Sequence, residues 1–461
     1  MSAPRRPAPA ARSRRSGSGG TRSDHGLPSR RAALAALGAV GDGAWSNLAV
    51  PAAVRDLPDE RDRAFASYLA YDTLRWQGTL DWALGGIVER PLSEVEPALL
   101  RVLRLGALQL LRTDVPERAV VHTAVALARQ TVPRRRAEGA GGFVNGVLRA
   151  LARRREDLPW PDAAIDPVGH LALTTAHPPW IVTDLLGRFG AERTASILHA
   201  DNDPPGLTLR ATGDRDALIA ELRAAGVDAG PGRLPQAVRA PGADPRRLLA
   251  VADGRAVPQD EASMRVVEAT GAGPGDRVLD LCAGPGGKST YLAQLVAPEG
   301  RVVAVERHPH RATLIRDAAA RVGVEVEVHV ADATRPPLPG VGPYDVVLVD
   351  APCTGLGTGR RRPEVRWRRD PEDTAELATL QRELVAVAAG QVRPGGTLTY
   401  SVCTWTAEET AAVAATVDAR EDAFQPLGRT QLLPDSDDTD GMYLATWRRM
   451  WGKPGEDSDG R

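Results

Sequence analysis

Apolar residues recur every three or four positions from Arg30 to about Arg155, the spacing of helices that bury one face. Leu100, Leu103, Ala107 and Leu111 form one such stripe, with Arg101 and Arg112 beside it. Arg104 lies at the edge of that stripe and is expected to snorkel, its stem on the apolar face and its head in water. Pro116 separates this helix from the next, where Val121, Ala124, Val125 and Ala128 repeat the spacing. A third stripe, Val144, Val147, Leu148 and Leu151, runs into Arg153, Arg154 and Arg155. Cations there suit the negative end of a helix dipole. No two-residue alternation interrupts this stretch, so residues 28–160 read as an all-α domain.

The period then changes. In residues 161–256, Trp180, Ile181, Leu185 and Leu186 suggest a connector helix, and Leu207-Thr-Leu-Arg a short strand. Asp216 to Ala225 reads as a helix and Val238-Arg-Ala as another strand. This predicts a small α/β lobe. In residues 257–452 strands and helices alternate, with candidate strands at 277–281, 301–306, 325–330, 345–350, 397–401 and 443–447. Their Val-rich composition suits a doubly wound α/β sheet buried on both faces. Residues 1–27 hold six arginines but no large apolar residue between Met1 and Leu27. Such a segment cannot offset its ordering entropy and reads as a disordered basic tail; residues 453–461 read as a second tail.

With 461 residues and a formal charge of −1, the chain is no uniformly basic nucleic-acid binder, although local basic faces remain open. Three cysteines cannot make a disulfide framework and favour a reducing compartment. No run approaches the roughly 18 apolar residues of a membrane span, and the N-terminal arginines precede no apolar signal segment. The expectation is a cytoplasmic protein with no membrane attachment, no metal ligand set and no obligate oligomer.

Two kinds of loop carry candidate chemistry. Asp280 to Lys288 reads DLCAGPGGK, a strand end followed by a glycine turn at a helix start. Gly284, Gly286 and Gly287 permit positive φ and close approach of a ligand, and Pro285 stiffens the turn. A phosphate loop needs glycine at position 282, where Cys282 stands, so that reading fails by one residue. Glu306 ends the second strand, where a carboxylate can accept from both hydroxyls of a ribose. Asp332 follows the third strand, within reach of an adenine amino group. This set, with Cys282, Ala283, Gly284, Pro285, Gly286, Gly287 and Lys288 as the loop, matches S-adenosylmethionine without phosphate binding.

The second kind is a pair of thiols. Cys353 follows the strand Asp345–Asp350 in DVVLVDAPC, and Cys403 follows the next in YSVCT. Two of three cysteines at strand ends point to thiol-assisted group transfer. The spacing does not decide which thiol attacks. Just beyond Cys353, Gly359 to Arg369 reads GRRRPEVRWRR. Arg360, Arg361, Arg362 and Arg366 could hold phosphates and Trp367 could stack a base.

These motifs carry two resemblances. The segments beginning at Arg31, Asp72, Leu103, Val121 and Gly142 resemble the NusB-type RNA-binding helical domain, against the alternative of a bundle used only for packing. Gln259-Asp-Glu-Ala-Ser, the Asp280–Lys288 loop, Asp350-Ala-Pro-Cys, Tyr400-Ser-Val-Cys and Asp440-Gly-Met-Tyr resemble the bacterial RsmB/Sun (Fmu) type of 16S rRNA cytosine-C5 methyltransferase, within the NOL1/NOP2/Sun group. The chain differs from that pattern at Val402, Thr404 and Met442-Tyr443. The resemblance implies a Rossmann-like S-adenosylmethionine-dependent methyltransferase behind a NusB-like domain and a small RNA-recognition-like lobe. It also implies the cytosine at position 967 of 16S rRNA, free or in a small-subunit precursor, as target. In that family the later cysteine, here Cys403, attacks the base, the Pro-Cys thiol, here Cys353, assists release, and Asp350 lies near the base. Two alternatives remain: methylation of a tRNA or another rRNA cytosine, and a non-catalytic RNA-binding role in ribosome assembly.

Overall fold

The computed structural model describes residues 26–451 apart from 339 and 341. The expected tail at 453–461, and all of the basic tail but Gly26 and Leu27, lie outside the described residues. Leu27 opens the first helix.

Seven helices build the N-terminal domain: α1 (Leu27–Gly41), α2 (Ser46–Val54), α3 (Glu60–Arg75), α4 (Gln77–Gly85), α5 (Pro97–Arg112), α6 (Glu117–Thr131) and α7 (Ala137–Arg154). α5 packs against α1, α3, α4, α6 and α7. Being central, it buries more than the stripe the sequence shows: Leu103 and Ala107 are buried, but so are Leu99, Val102, Leu105 and Leu110. Arg104 does not snorkel into water. It forms a two-pronged ion pair with Asp81 of α4, Nε–Oδ1 and Nη2–Oδ2 both 2.7 Å.

Two connector helices follow, α8 (Pro167–Thr174) and α9 (Pro179–Asp201), the latter bent at Gly190, whose φ is 74°. The small lobe pairs β1 (Leu207–Ala211), β2 (Gly230–Pro231), β3 (Ala237–Ala240) and β4 (Ala256–Pro258) in the antiparallel order β2-β3-β1-β4. α10 (Arg215–Ala224) packs on this sheet and α11 (Leu249–Ala252) precedes β4. The two short strands, β2 and β4, have too few residues to show a period.

The third unit begins with α12 (Glu261–Ala269). It then alternates β5 (Arg277–Asp280), α13 (Gly287–Val296), β6 (Arg301–Glu306), α14 (Pro309–Val322), β7 (Glu327–Val330), β8 (Tyr344–Asp350), α15 (Pro371–Gln391), β9 (Val392–Val402), α16 (Ala411–Asp418), β10 (Phe424–Leu432), α17 (Pro434–Asp437) and β11 (Met442–Arg449). The sheet order is β10-β11-β9-β8-β5-β6-β7. β5 to β9 are mutually parallel, while β11 is antiparallel to both β9 and β10. This is the expected Rossmann-like layer. Apolar side chains cover both faces of the sheet in two clusters, one around Val347, Val349 and Tyr400 and one around Val278, Val346 and Leu348. β10 was not legible: Pro426, Gly428 and a run of exposed residues erase any alternation on this edge strand.

The three units meet at the loop between Cys353 and α15. Arg366 is 1% exposed. Its guanidinium donates to Asp201 Oδ2 (2.5 Å), Asn202 Oδ1 (2.8 Å) and Ala176 O (3.3 Å). Arg360, 5% exposed, donates to Asp203 O and Asp438 Oδ1. Trp367 donates its indole N–H to Leu74 O at 2.7 Å, and a Cβ on Gly78 would come within 2.5 Å of its ring. Glu364 accepts from the backbone N of Ser46 at 2.7 Å. The expectation that Arg360, Arg366 and Trp367 bind RNA is therefore corrected. Both terminal nitrogens of Arg366, the guanidinium of Arg360 and the indole N–H of Trp367 are engaged inside the joint, where buried guanidinium groups must be paired and stranded carbonyls supply acceptors.

His177 Nε2 lies 3.1 Å from the same Asp201 carboxylate. Burial pushes the Asp201 carboxyl up, but Arg366, His177 and Arg75 together more than offset this and its pKa falls below the ordinary value. Burial, and then Arg366, lower His177 to about 4. Arg366→Leu strands Asp201 and is expected to cost about 3–5 kcal/mol, read from the urea midpoint. Unfolded histidine titrates near pH ~6.5. Below that pH the unfolded chain takes up a proton that the fold refuses. Stability is therefore expected to fall as pH drops from about 6.5 toward 4, by at most about 1.4 kcal/mol per pH unit. His177→Asn should remove that component of the slope in unfolding measured across the same range.

Candidate active site

β8 and β9 run parallel with Asp350 opposite Ser401. The last rung is Ala351 N to Ser401 O, 2.9 Å. Beyond it the two chains leave the sheet side by side, and the Sγ atoms of Cys353 and Cys403 stand 3.3 Å apart. Both are partly exposed, and Cys282, the third cysteine, is likewise free of any disulfide.

The pair is electrostatically unequal. The hydrogen bond from Cys353 lowers the Cys403 pKa; burial opposes this, and Arg362 and Lys288 add to the lowering. Cys353 moves the other way, raised by the same hydrogen bond, by burial and by the nearby charges of Cys403, Glu409 and Asp350. These opposite shifts favour Cys353 as the S–H donor and Cys403 as the acceptor, the thiol that more readily gives up its proton. Arg362 has its own anchor. Its guanidinium lies 5.1 Å from the ring centre of Trp45, at the start of α2. Of the five residues expected to touch RNA, Arg362 is the one beside the thiols.

Asp350 Oδ1 accepts from Ser401 Oγ at 2.8 Å and Oδ2 from Lys288 Nζ at 2.7 Å. Lys288, in the first turn of α13, also reaches Ser263 Oγ at 3.4 Å. Burial works against its ammonium, but Asp350 and Cys403 outweigh it and the pKa is raised. Lys288 and Asp350 line a cavity of about 320 Å³ that runs along the glycine turn past Cys282, Ala283, Gly284, Pro285 and Gly287. Buried in its wall, Asp280 is pushed up to about 6, with Ser289 opposing the shift. Arg361 lines the cavity between Asp260 and Asp440, donating Nε to Asp440 at 3.0 Å and Nη2 to Asp260. It is thus a cavity residue, not an open phosphate contact.

The turn fits a cofactor. Gly286 has φ 106° and caps α13, so only here does the turn need a left-handed residue. Gly284 serves close approach instead: a Cβ there would fall 2.3 Å from Glu306 Oε2. Glu306, 4% exposed, accepts from His308 N with Oε1. Gln259 Nε2 is buried beside the cavity without a hydrogen-bond partner, as expected of a group that awaits a ligand. Asp332 lies outside this cavity. Its Oδ1 accepts from Thr334 N and Oγ1 (3.0 and 2.7 Å), which lowers its pKa.

Sequence reading missed Glu409, a fully buried carboxylate behind both thiol loops. Thr406-Ala-Glu-Glu409 has the T-x-x-E form of a helix start, but nothing in that pattern says that the side chain turns toward Thr354.

Cys403 is expected to be alkylated by iodoacetamide ahead of Cys353, with a pH midpoint that rises in Cys353→Ala; mass spectrometry of the two peptides reads both. Glu306→Gln should weaken S-adenosylmethionine binding in calorimetry by about tenfold to a hundredfold, the worth of hydrogen bonds to a charged group.

The comparisons agree with this architecture. The family described as 16S rRNA methyltransferase RsmB/F matches residues 271–448, the NusB family residues 27–153, and the RsmF/B-like ferredoxin-like domain residues 177–243. The chain is similar to a putative methyltransferase of Mycobacterium tuberculosis, 43% identical over 92% of this chain and 97% of that protein. It is similar to the probable ribosomal RNA small subunit methyltransferase B of Bacillus subtilis (33% identical, 88% and 95% covered). It is also similar to ribosomal RNA small subunit methyltransferase B of Pseudomonas putida (34%, 90% and 97%). Among solved structures, that of PH0851 superposes with TM-score 0.79 at 25% identity, covering 91% of this chain and 98% of its own. All three relatives exceed 30% identity across most of the chain, and the methyltransferase match spans the thiol loops and the glycine turn. The chain belongs to the RsmB/F family of S-adenosylmethionine-dependent rRNA methyltransferases.

Proposed function

We propose that the chain methylates C5 of a cytosine in 16S rRNA through a covalent bond between Cys403 and C6 of the base, acting as a cytoplasmic monomer. The observation that carries this is the unequal thiol pair, 3.3 Å apart, beside the Asp350–Lys288 ion pair. Cytosine C5 is a poor nucleophile. Addition of the Cys403 thiolate at C6 pushes electrons to C5, which can then attack an electrophile. S-adenosylmethionine, when bound, supplies an electrophilic methyl group. Asp350, fixed by Ser401 and Lys288, holds the ring edge, while Glu306 would hold the ribose of the cofactor; Asp332, outside the cavity and with Oδ1 taken by Thr334, would have only Oδ2 to offer the adenine. Release removes the C5 proton to a base, re-forms the C5–C6 double bond and breaks the S–C6 bond. Cys403 then departs as a thiolate. The Cys353 S–H that lowers its pKa also makes it the better leaving group.

RNA binding is assigned to the helical domain, where Arg118, Arg134, Arg135, Arg149 and Arg153 are exposed. Such side chains suit backbone phosphates. The target base must leave its stack, at a cost of a few kcal/mol unless it is already looped out. Among the described residues no helix is long and apolar enough to cross a membrane.

The test is bisulfite sequencing of RNA from a host that lacks its own enzyme, expressing wild type, Cys403→Ala or Cys353→Ala. One 16S cytosine should be protected by wild type and lost with Cys403→Ala, and Cys353→Ala should leave protein crosslinked to RNA. A crosslink with Cys403→Ala instead reverses the thiol roles. Protection of a tRNA cytosine, or of none, sinks the 16S assignment.

A further inference from the structure

Beyond the last ladder bond at Ala351, the backbone around Cys353 has no strand to pair with. Side chains take over. Gln381 Nε2, on α15, donates to Pro352 O at 2.8 Å, just before the thiol. Thr354 N, just after it, donates to Glu409 Oε1 at 2.8 Å. Gln381 Nε2 also donates to Glu409 Oε1 at 3.0 Å. Glu409 Oε2 accepts from Thr354 Oγ1 (2.6 Å) and from Thr406 Oγ1 (2.9 Å), three residues past Cys403. Thr354 Oγ1 further lies 3.0 Å from Thr404 Oγ1, next to Cys403. Glu409 is 0% exposed, and no ion pair reaches it among the described residues. Its four acceptor sites are filled by four donors, two from the Cys353 loop, one from the Cys403 loop and one from α15.

A buried, acceptor-only carboxylate with every lone pair used has no free site for substrate. Its partners instead bracket both thiols. We propose that Glu409 is the positioning residue of the thiol pair: it holds the Cys353 loop against the Cys403 loop so that the Cys353 S–H reaches the Cys403 sulfur, and through that bond it governs release of the methylated base. The release step rests on the covalent reading above. The effect on the thiols does not.

Glu409 acts in two ways. It fixes distance, because an amide in its place would put an NH2 group where two of the four donors now find an acceptor, and so loosen the clamp. Its charge also disfavours a thiolate at Cys353, adding to the hydrogen bond with Cys403 and to burial, and so favours that thiol as the donor. Neither role touches the reacting atoms.

The test uses the full chain with Glu409→Gln, and Thr354→Val as the variant that removes the hydroxyl contacts to Glu409 and Thr404 while keeping shape and the backbone contact to Glu409. Cys353→Ala runs in parallel. Alkylation of Cys403 by iodoacetamide across pH needs no RNA. Glu409→Gln should move its midpoint up toward that of Cys353→Ala, Thr354→Val should move it part of the way, and Glu409→Asp should restore some of the loss. With RNA, steady-state turnover of Glu409→Gln should fall about tenfold further than its first-turnover methyl transfer, and covalent protein–RNA adduct should accumulate. An unchanged alkylation profile in both Glu409→Gln and Thr354→Val overturns the positioning role, whatever the RNA assays give. A first turnover that falls as far as steady state, without adduct, reduces Glu409 to a folding residue and overturns the link to release. Absence of adduct in Cys353→Ala itself instead overturns the covalent reading, and the alkylation profile still decides the positioning role.

Discussion

The active site depends on one register. β8 and β9 are parallel neighbours with Asp350 opposite Ser401, so two chain segments some fifty residues apart leave the sheet at the same height and in the same direction. Cys353 and Cys403 need only a short loop each to meet. A one-residue slip would move the side chains of one strand to the other face, parting Asp350 from Ser401 and with them the thiols. The slip is resisted because both faces are buried: Val347 and Val349 lie in one apolar cluster, Val346 and Leu348 in the other. Hydrophobic patterning far from the chemistry thus fixes a contact of 3.3 Å between two sulfurs.

A sheet edge sets where the loops begin but not where they end. The segment after Cys353 is held by three bodies at once. Arg366 ties it to the connector through Asp201, Glu364 caps the start of α2, and Trp367 fills the space left by Gly78 on α4. Leu356 and Trp405, one from each thiol loop, share an apolar cluster with Ile181 and Leu185 of α9. The helical domain is therefore part of the scaffold of the active site as well as a candidate RNA platform. Trp45 makes the link direct, since the guanidinium groups of Arg362 and Arg368 both lie over its ring, at 5.1 and 4.8 Å. Arg362 in turn bears on the thiolate of Cys403.

Elements with a long apolar period were legible in the sequence. β6 was read at its observed bounds and β5 and β8 within one residue at each end, because buried parallel strands leave a run of Val and Leu that needs no context; the antiparallel β11 was read within two residues at each end. β9 was found at its core but extends five residues further toward Val392. The glycine turn and both thiols were also legible, because those residue types are rarely exchangeable. The arginines were not. GRRRPEVRWRR looks like a charged surface, and a guanidinium has the same sequence signature whether it meets a phosphate or a buried carboxylate. The partners that decide between these, Asp201, Asp203 and Asp438, lie about seventy or more residues away. Glu409 was hidden for the same reason: its role is defined by Thr354 and Gln381, which no local pattern joins to it.

A buried ionic network is an expensive way to hold a loop, because an apolar core of the same shape costs less desolvation. Around this thiol pair it does something an apolar core cannot. The two sulfurs are chemically identical, and their order of titration must come from their surroundings. Cations on the Cys403 side, Arg362 and Lys288, and carboxylates on the Cys353 side, Glu409 and Asp350, break that symmetry. Behind the hydrogen bond to Cys403 and burial, Glu409 raises Cys353 more than Asp350 does; Asp350 faces both thiols and is paired with Lys288. The donors that surround Glu409 stabilise its charge without cancelling it, as a salt bridge would. A hydrogen-bonded but unpaired carboxylate is the arrangement that both fixes the loop and leaves a field to choose which thiol keeps its proton.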